Sequence, residues 1–109
     1  MTKATIIKIA KENNINLELI KISRSSGTYH FEMADLSADL VKKNLSHYYE
    51  TNEQLPEVEK IIKRYNREVA KLLKALGVKY WGFKSGSGEW NYSLGEQSYS
   101  TKLAFANID

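Results

Sequence analysis

Lys60, Lys63, Arg64, Arg67, Lys71 and Lys74 recur at spacings of three and four residues. On a helix turning 100° per residue they fall within roughly a third of the circumference. A one-sided row of ammonium and guanidinium groups about 20 Å long, at ~1.5 Å of rise per residue, attracts phosphates or the acidic patch of a protein. The acids of the same stretch, Glu57, Glu59 and Glu68, sit on the flanks of the row and not within it. A helix shaped by stability alone interleaves opposite charges at these spacings, where each pair contributes ~0.2–0.5 kcal/mol; here that gain is partly forgone. The opposing reading is a solvated, lysine-rich face compensated by its flanking glutamates, since Lys and Arg are good helix formers and exposed faces must carry something. Both readings stay open on sequence grounds.

A second candidate is the aromatic stretch near the C-terminus, where Lys79, Trp81, Lys84 and Trp90 stand among Tyr80, Phe83 and Tyr92. Flat rings beside cations are what single-strand binders use, with stacking worth ~1–3 kcal/mol per base. The run Lys79-Tyr80-Trp81-Gly82-Phe83 departs from the signature of RNA-recognition motifs at Tyr80 and Lys84, and the order of elements does not fit that fold. The structural alternative is that most of these rings fill the core, as a small domain requires.

Catalytic chemistry finds little purchase. His30 and His47 are the two histidines, and neither has a carboxylate or second imidazole at metal-binding spacing or a nucleophile motif beside it. Lys84-Ser85-Gly86-Ser87-Gly88 has its lysine before the glycines and links two strand patterns, unlike a phosphate-binding loop that opens a helix. Asp35 with Asp39, and Glu57 with Glu59, suit the acid preference of helix N-termini. The expectation is a protein that is not an enzyme and uses no metal or cofactor.

The elements that must position these groups follow from periodicity. Residues 2 to 13 read as a short amphipathic helix with Ile6, Ile9 and Ala10 on one face, ended by Asn14. Residues 15 to 24 read as a strand covered on both sides, which suggests a central position, and Ser25-Ser26-Gly27 turns it into a strictly alternating strand from Thr28 to Met33. Residues 34 to 50 read as a helix capped by Asp35 or Ser37, with Ala38, Val41, Leu45, Tyr48 and Tyr49 on one face; a short strand over 47 to 51 is the alternative. The clearest element runs from Pro56 to Leu76, with Pro in the first turn, Glu57 and Glu59 at the positive end of the dipole, and Gly77 as the left-handed stop. A hairpin over 78 to 94 through Ser85–Gly88 and a last strand around Tyr99 to Phe105 complete the chain. The sum is an α+β fold: a mostly antiparallel sheet from two hairpin regions, with the long helix and shorter helices packed on it, as a single domain over residues 1 to 109.

The chain has 109 residues, 42% of them hydrophobic, which is enough for one core and excludes a disordered tail. It has no cysteine, so disulfides and thiolate metal sites are excluded, in keeping with a reducing, cytoplasmic setting. No apolar run approaches the ~20 residues that span a bilayer. The net charge is +3, a mild excess whose meaning depends on where the cations sit.

Ile15-Asn16-Leu17-Glu18-Leu19, leading through Gly27 into Tyr29-His30-Phe31 behind a short helix, resembles the opening of small uncharacterised phage and prophage proteins over residues 2 to 33. The resemblance implies a leading helix packed on a hairpin with an aromatic second strand, and transfers no activity or site residue. In size and lack of motifs the chain is also similar to phage-encoded inhibitors of host defence, such as anti-CRISPR proteins. Two functional expectations result. One is a binding protein whose basic helix docks on nucleic acid or on an acidic, nucleic-acid-handling protein. The alternative is an inhibitor or adaptor acting on host machinery, with the aromatic strands as anchors.

Overall fold

The computed structural model describes residues 1–34, 37–80 and 89–102. The elements are helix α1 (Lys3–Glu12), a 3-10 turn (Leu17–Leu19), strands β1 (Ile20–Ser25) and β2 (Thr28–Met33), helices α2 (Ala38–Thr51) and α3 (Pro56–Leu76), and strands β3 (Lys79–Tyr80), β4 (Glu89–Leu94) and β5 (Gln97–Lys102). The fold is α+β, with one mixed sheet in the order β1-β2-β5-β4-β3. Its pairings are antiparallel apart from β2 with β5, which run parallel.

Local chemistry sets most element ends. The Thr2 hydroxyl accepts from the Thr5 amide at 3.2 Å and opens α1, and the Ser37 hydroxyl accepts from the Leu40 amide at 3.2 Å and opens α2. Ser37 is therefore a cap of α2, while Asp35 lies outside the described residues. Pro56 and Gly77 bound α3 where the sequence placed them, Gly77 with φ 76°. Between β1 and β2, Ser26 and Gly27 both adopt positive φ, 51° and 77°, the twist a two-residue hairpin turn needs.

Two expectations are corrected and one alternative is removed. The strand expected over 15 to 24 begins only at Ile20, because Asn16 caps a 3-10 turn, its side-chain oxygen accepting from the Glu18 amide at 3.1 Å. Leu19 and Ile20 are both buried since one belongs to the turn and the other to the strand, so no double cover is needed; β1 is an edge strand with Lys21 and Ser23 exposed. Residues 47 to 51 are helical, which removes the strand alternative. The face by which α2 is held is also rotated from the expected one: its one buried residue is Asn44, flanked by half-buried Leu40, Val41 and Tyr48, while Ala38 is exposed and Tyr49 is 74% exposed. The second hairpin pairs as expected, Lys79 opposite Ser93 and Tyr80 opposite Tyr92; its residues 81 to 88, and the strand expected beyond Lys102, lie outside the described residues.

One face of the sheet takes the helices. Ile22, Phe31, Thr101 and Trp90 form one cross-strand row, and Tyr29, Tyr99 and Tyr92 form the next. Tyr99 stacks between Phe31 and Tyr29 at centroid distances of 6.1 and 5.7 Å. Over them lie Ile6 and Ala10 of α1 and Tyr65, Val69, Leu72, Leu73 and Leu76 of α3. The buried Tyr65 hydroxyl donates to the Phe31 carbonyl at 2.6 Å, tying the middle of α3 to β2. The cluster stops there: Val58 and all of α2 lie outside it, so the first turns of α3 and helix α2 form an overhang beside the main core.

Candidate polyanion-binding surface

The core fixes how α3 is turned, and so where its cations point. With Val58, Tyr65, Val69, Leu72, Leu73 and Leu76 buried on one side, Lys60, Lys63, Arg64, Arg67, Lys71 and Lys74 are all exposed on the other. The six expected ridge residues are thus brought together on the outer surface of the helix layer. Spread over 21 residues, α3 is about 31 Å long at ~1.5 Å per residue, and the cations occupy its central two-thirds.

Pairing within the ridge is sparse. Among the described residues the one ion pair joins Lys71 Nζ to Glu68 Oε2 at 3.0 Å, with Glu68 nearly covered and Lys71 about half exposed. Glu68 also accepts from the Asn16 amide at 3.4 Å, anchoring the 3-10 turn to the helix. The hydrogen bond from Lys71 holds the Glu68 carboxyl below the ordinary carboxylate pKa, helped by the Asn16 amide and opposed by desolvation. A lowered folded-state pKa means that this contribution is complete above the unfolded value and disappears as pH falls through the folded one. We therefore expect Glu68→Gln to flatten part of the acid limb of stability, measured by urea unfolding across the carboxylate range, while changing neutral-pH stability by about 1 kcal/mol or less. An acid limb identical to wild type removes the role assigned to Glu68.

Neighbouring elements add features that spacing along the chain could not show. Asn13, at the end of α1, flanks Lys71 and Lys74 in a shallow concavity of about 360 Å³ that Ala75 completes. At the other end, Lys63 edges a cleft of about 430 Å³ shared with Glu59 and Ile62 of α3 and with Tyr48 and Gln54. Both depend on how α1 and α2 meet α3, and neither carries a signal in the sequence.

The remaining candidates do not join the ridge. Lys79 pairs with Ser93, whose neighbour Tyr92 packs on the core; by alternation Lys79 belongs to the sheet face opposite the helices. Trp90 is half-buried on the helix-facing side, lining a groove of about 320 Å³ with Val69, Ala70 and Leu73 on the flank of α3. Trp81 and Lys84 lie outside the described residues.

The sheet face opposite the helices holds a contact that spacing missed: the Ser100 hydroxyl and His30 Nδ1 lie 2.6 Å apart across the parallel β2 and β5 pair. Ser100 is 4% exposed, and no carboxylate among the described residues orients the imidazole. The pair reads as a cross-strand hydrogen bond and not as a nucleophile with its base. Among the described residues no helix is long and apolar enough to cross a membrane, and no three His, Asp or Glu side chains gather as metal ligands would. Against this geometry, the chain matches no protein-family model, no curated protein and no solved structure.

Proposed function

We propose that this chain is a non-enzymatic binding protein that docks along a polyanion through the outer ridge of α3, with nucleic acid as the polyanion. The observation that carries this reading is that five of the six ridge cations have no ion-pair partner among the described residues, although acids are available on the same helix. Cations left unpaired and aligned on a rigid rod are preorganised to replace the condensed counterions of a phosphate backbone. Arg64 and Arg67 supply the directional contacts, since a guanidinium can offer two parallel donors to one phosphate; the lysines add less directional attraction. No aromatic side chain lies within the arc, so the ridge contacts backbone and not bases, and binding is indifferent to sequence.

The test is a titration of labelled duplex and single strand followed by fluorescence anisotropy at several salt concentrations. With five or six phosphates neutralised, the log–log slope on duplex is about −4.5 to −5.4. Between ~50 and ~200 mM salt the affinity falls roughly 500- to 2,000-fold. A flat salt response, or no binding to either nucleic acid, rejects nucleic acid as the target; a salt-sensitive complex with an acidic protein would then take its place.

A further inference from the structure

The groove between Trp90 and α3 runs along one border of the basic ridge. Going round α3 from its buried side, Leu73 and Asn66 come first, then Ala70, then Lys63, Lys74 and Arg67, all within ~120° of arc at 100° per residue. Leu73, Asn66 and Ala70 line the groove together with half-buried Trp90 of β4, and the three exposed cations follow directly as its outer rim. Lys63 and Lys74 are ~16 Å apart along the helix axis. Between them the border of the ridge is held by Ala70, an exposed residue with a single methyl group. A long side chain there would wall the groove off from the cations; alanine leaves the two continuous.

The make-up of this joint surface matches one class of ligand. The groove, about 320 Å³ in volume, is apolar at Val69, Ala70 and Leu73, carries an indole at Trp90, and has in the Asn66 amide a polar group with both donors and an acceptor. Among the described residues its lining holds no charge, whereas its rim is cationic. A ligand that suits both must join a flat, uncharged, hydrogen-bonding ring to a fixed negative charge. A single-stranded nucleic acid does so at every nucleotide, since phosphates on the rim leave a base free to cross Ala70 and stack on Trp90. In a duplex the bases are paired and stacked inside the helix, out of reach of such a groove. An acidic protein patch offers the charge without the ring.

We propose that this groove is a base-binding subsite: a single strand laid along the ridge places phosphates on Lys63, Arg67 and Lys74 and stacks a base on Trp90, a contact that duplex cannot make. The inference rests on the ridge as a phosphate-binding surface and adds the class of nucleic acid; it keeps the indifference to sequence, because every base has a π-face. The test compares three labelled probes with equal numbers of phosphates by fluorescence anisotropy: oligothymidylate, an abasic deoxyribose-phosphate chain, and duplex DNA. Oligothymidylate binds roughly 5- to 150-fold more tightly than the abasic chain, the gain of one stacked base. Ala70→Leu, at an exposed helical position where leucine is well tolerated, fills the mouth of the groove. It removes most of that advantage and leaves the affinities for the abasic chain and for duplex as they were. Trp90→Leu, which keeps the groove apolar but takes away the flat ring, has the same effect. Equal affinity for oligothymidylate and the abasic chain overturns the proposal while the ridge reading stands. So does an advantage of oligothymidylate that survives Ala70→Leu. Failure of all three probes to bind defeats the ridge reading and this inference with it.

Discussion

Leu72→Ala lowers the unfolding free energy by about 2–5 kcal/mol. Leu72 is fully buried in the apolar cluster where α3 meets the sheet. Its removal forfeits the transfer energy of the side chain and leaves a cavity that the ring stack beneath cannot fill, because Tyr29, Phe31 and Tyr99 are fixed by mutual stacking and by strand register. A chain of this size has only about 5–15 kcal/mol in total, so the loss is a large fraction of it. The melting temperature falls by ~8 °C or more at ~4–8 °C per kcal/mol. Tyr65→Phe isolates a different term at nearly constant volume: without the hydroxyl that donates to the Phe31 carbonyl, the loss is about 1–3 kcal/mol. Thermal and denaturant unfolding of both variants checks the pair. If Leu72→Ala costs less than an exposed-surface change, about 0.5 kcal/mol, the assigned core is wrong.

The parts of this architecture that the sequence discloses are those fixed within a few residues. Pro56 and Gly77 bound α3 because a missing amide and a left-handed backbone are properties of single residues, and the ridge follows because helical pitch alone decides that 60, 63, 64, 67, 71 and 74 share a side. Ser26-Gly27 likewise needs only its own two residues to turn the chain. What escapes is set by contacts between distant residues. Strand β1 lies at the edge and β2 pairs parallel with β5 because α2 and α3 intervene before the chain returns to the sheet, a choice no local pattern records. Helix α2 shows the conflict most clearly: its apolar moment favours burying Leu45 and Tyr49, but the Leu55 amide takes the Asn44 oxygen and rotates the helix. The same limit holds at the candidate surface. Glu68 reads as one of three flanking acids, and only its contact with Asn16, 52 residues earlier, draws it in beside Lys71.

Replacing all six ridge cations with glutamine is expected to abolish binding to nucleic acid and, at low ionic strength, to stabilise the fold. The two effects share one cause. Along the ridge, Lys60 neighbours both Lys63 and Arg64, Arg67 neighbours Lys63, Arg64 and Lys71, and Lys71 neighbours Lys74, all at spacings of three or four. Each like-charge neighbour of this kind opposes the helix by ~0.2–0.5 kcal/mol, and the six outnumber the four opposite-charge neighbours at the same spacings, Glu57 with Lys60, Glu59 with Lys63, and Glu68 with Arg64 and Lys71, leaving a net repulsion of about 0.4–1 kcal/mol. Screening shortens the reach of that repulsion, with a Debye length of ~30 Å at 0.01 M falling to ~10 Å at 0.1 M. The wild-type melting temperature therefore rises as salt is added, and the neutralised variant starts higher and gains less. Binding moves the other way: each cation removed takes about 0.9 from the magnitude of the salt slope on duplex, and the full variant loses affinity by at least ~10²-fold near 0.15 M salt. Arg64→Lys with Arg67→Lys separates charge from geometry, because it keeps the slope but loses the bidentate contacts, so affinity drops while salt dependence stays. A folded six-glutamine variant that still binds duplex with the wild-type slope would show that the phosphates are met elsewhere. One that melts no higher than wild type at low salt would show that the ridge carries no repulsion, and with it would go the argument that stability was given up there for attraction.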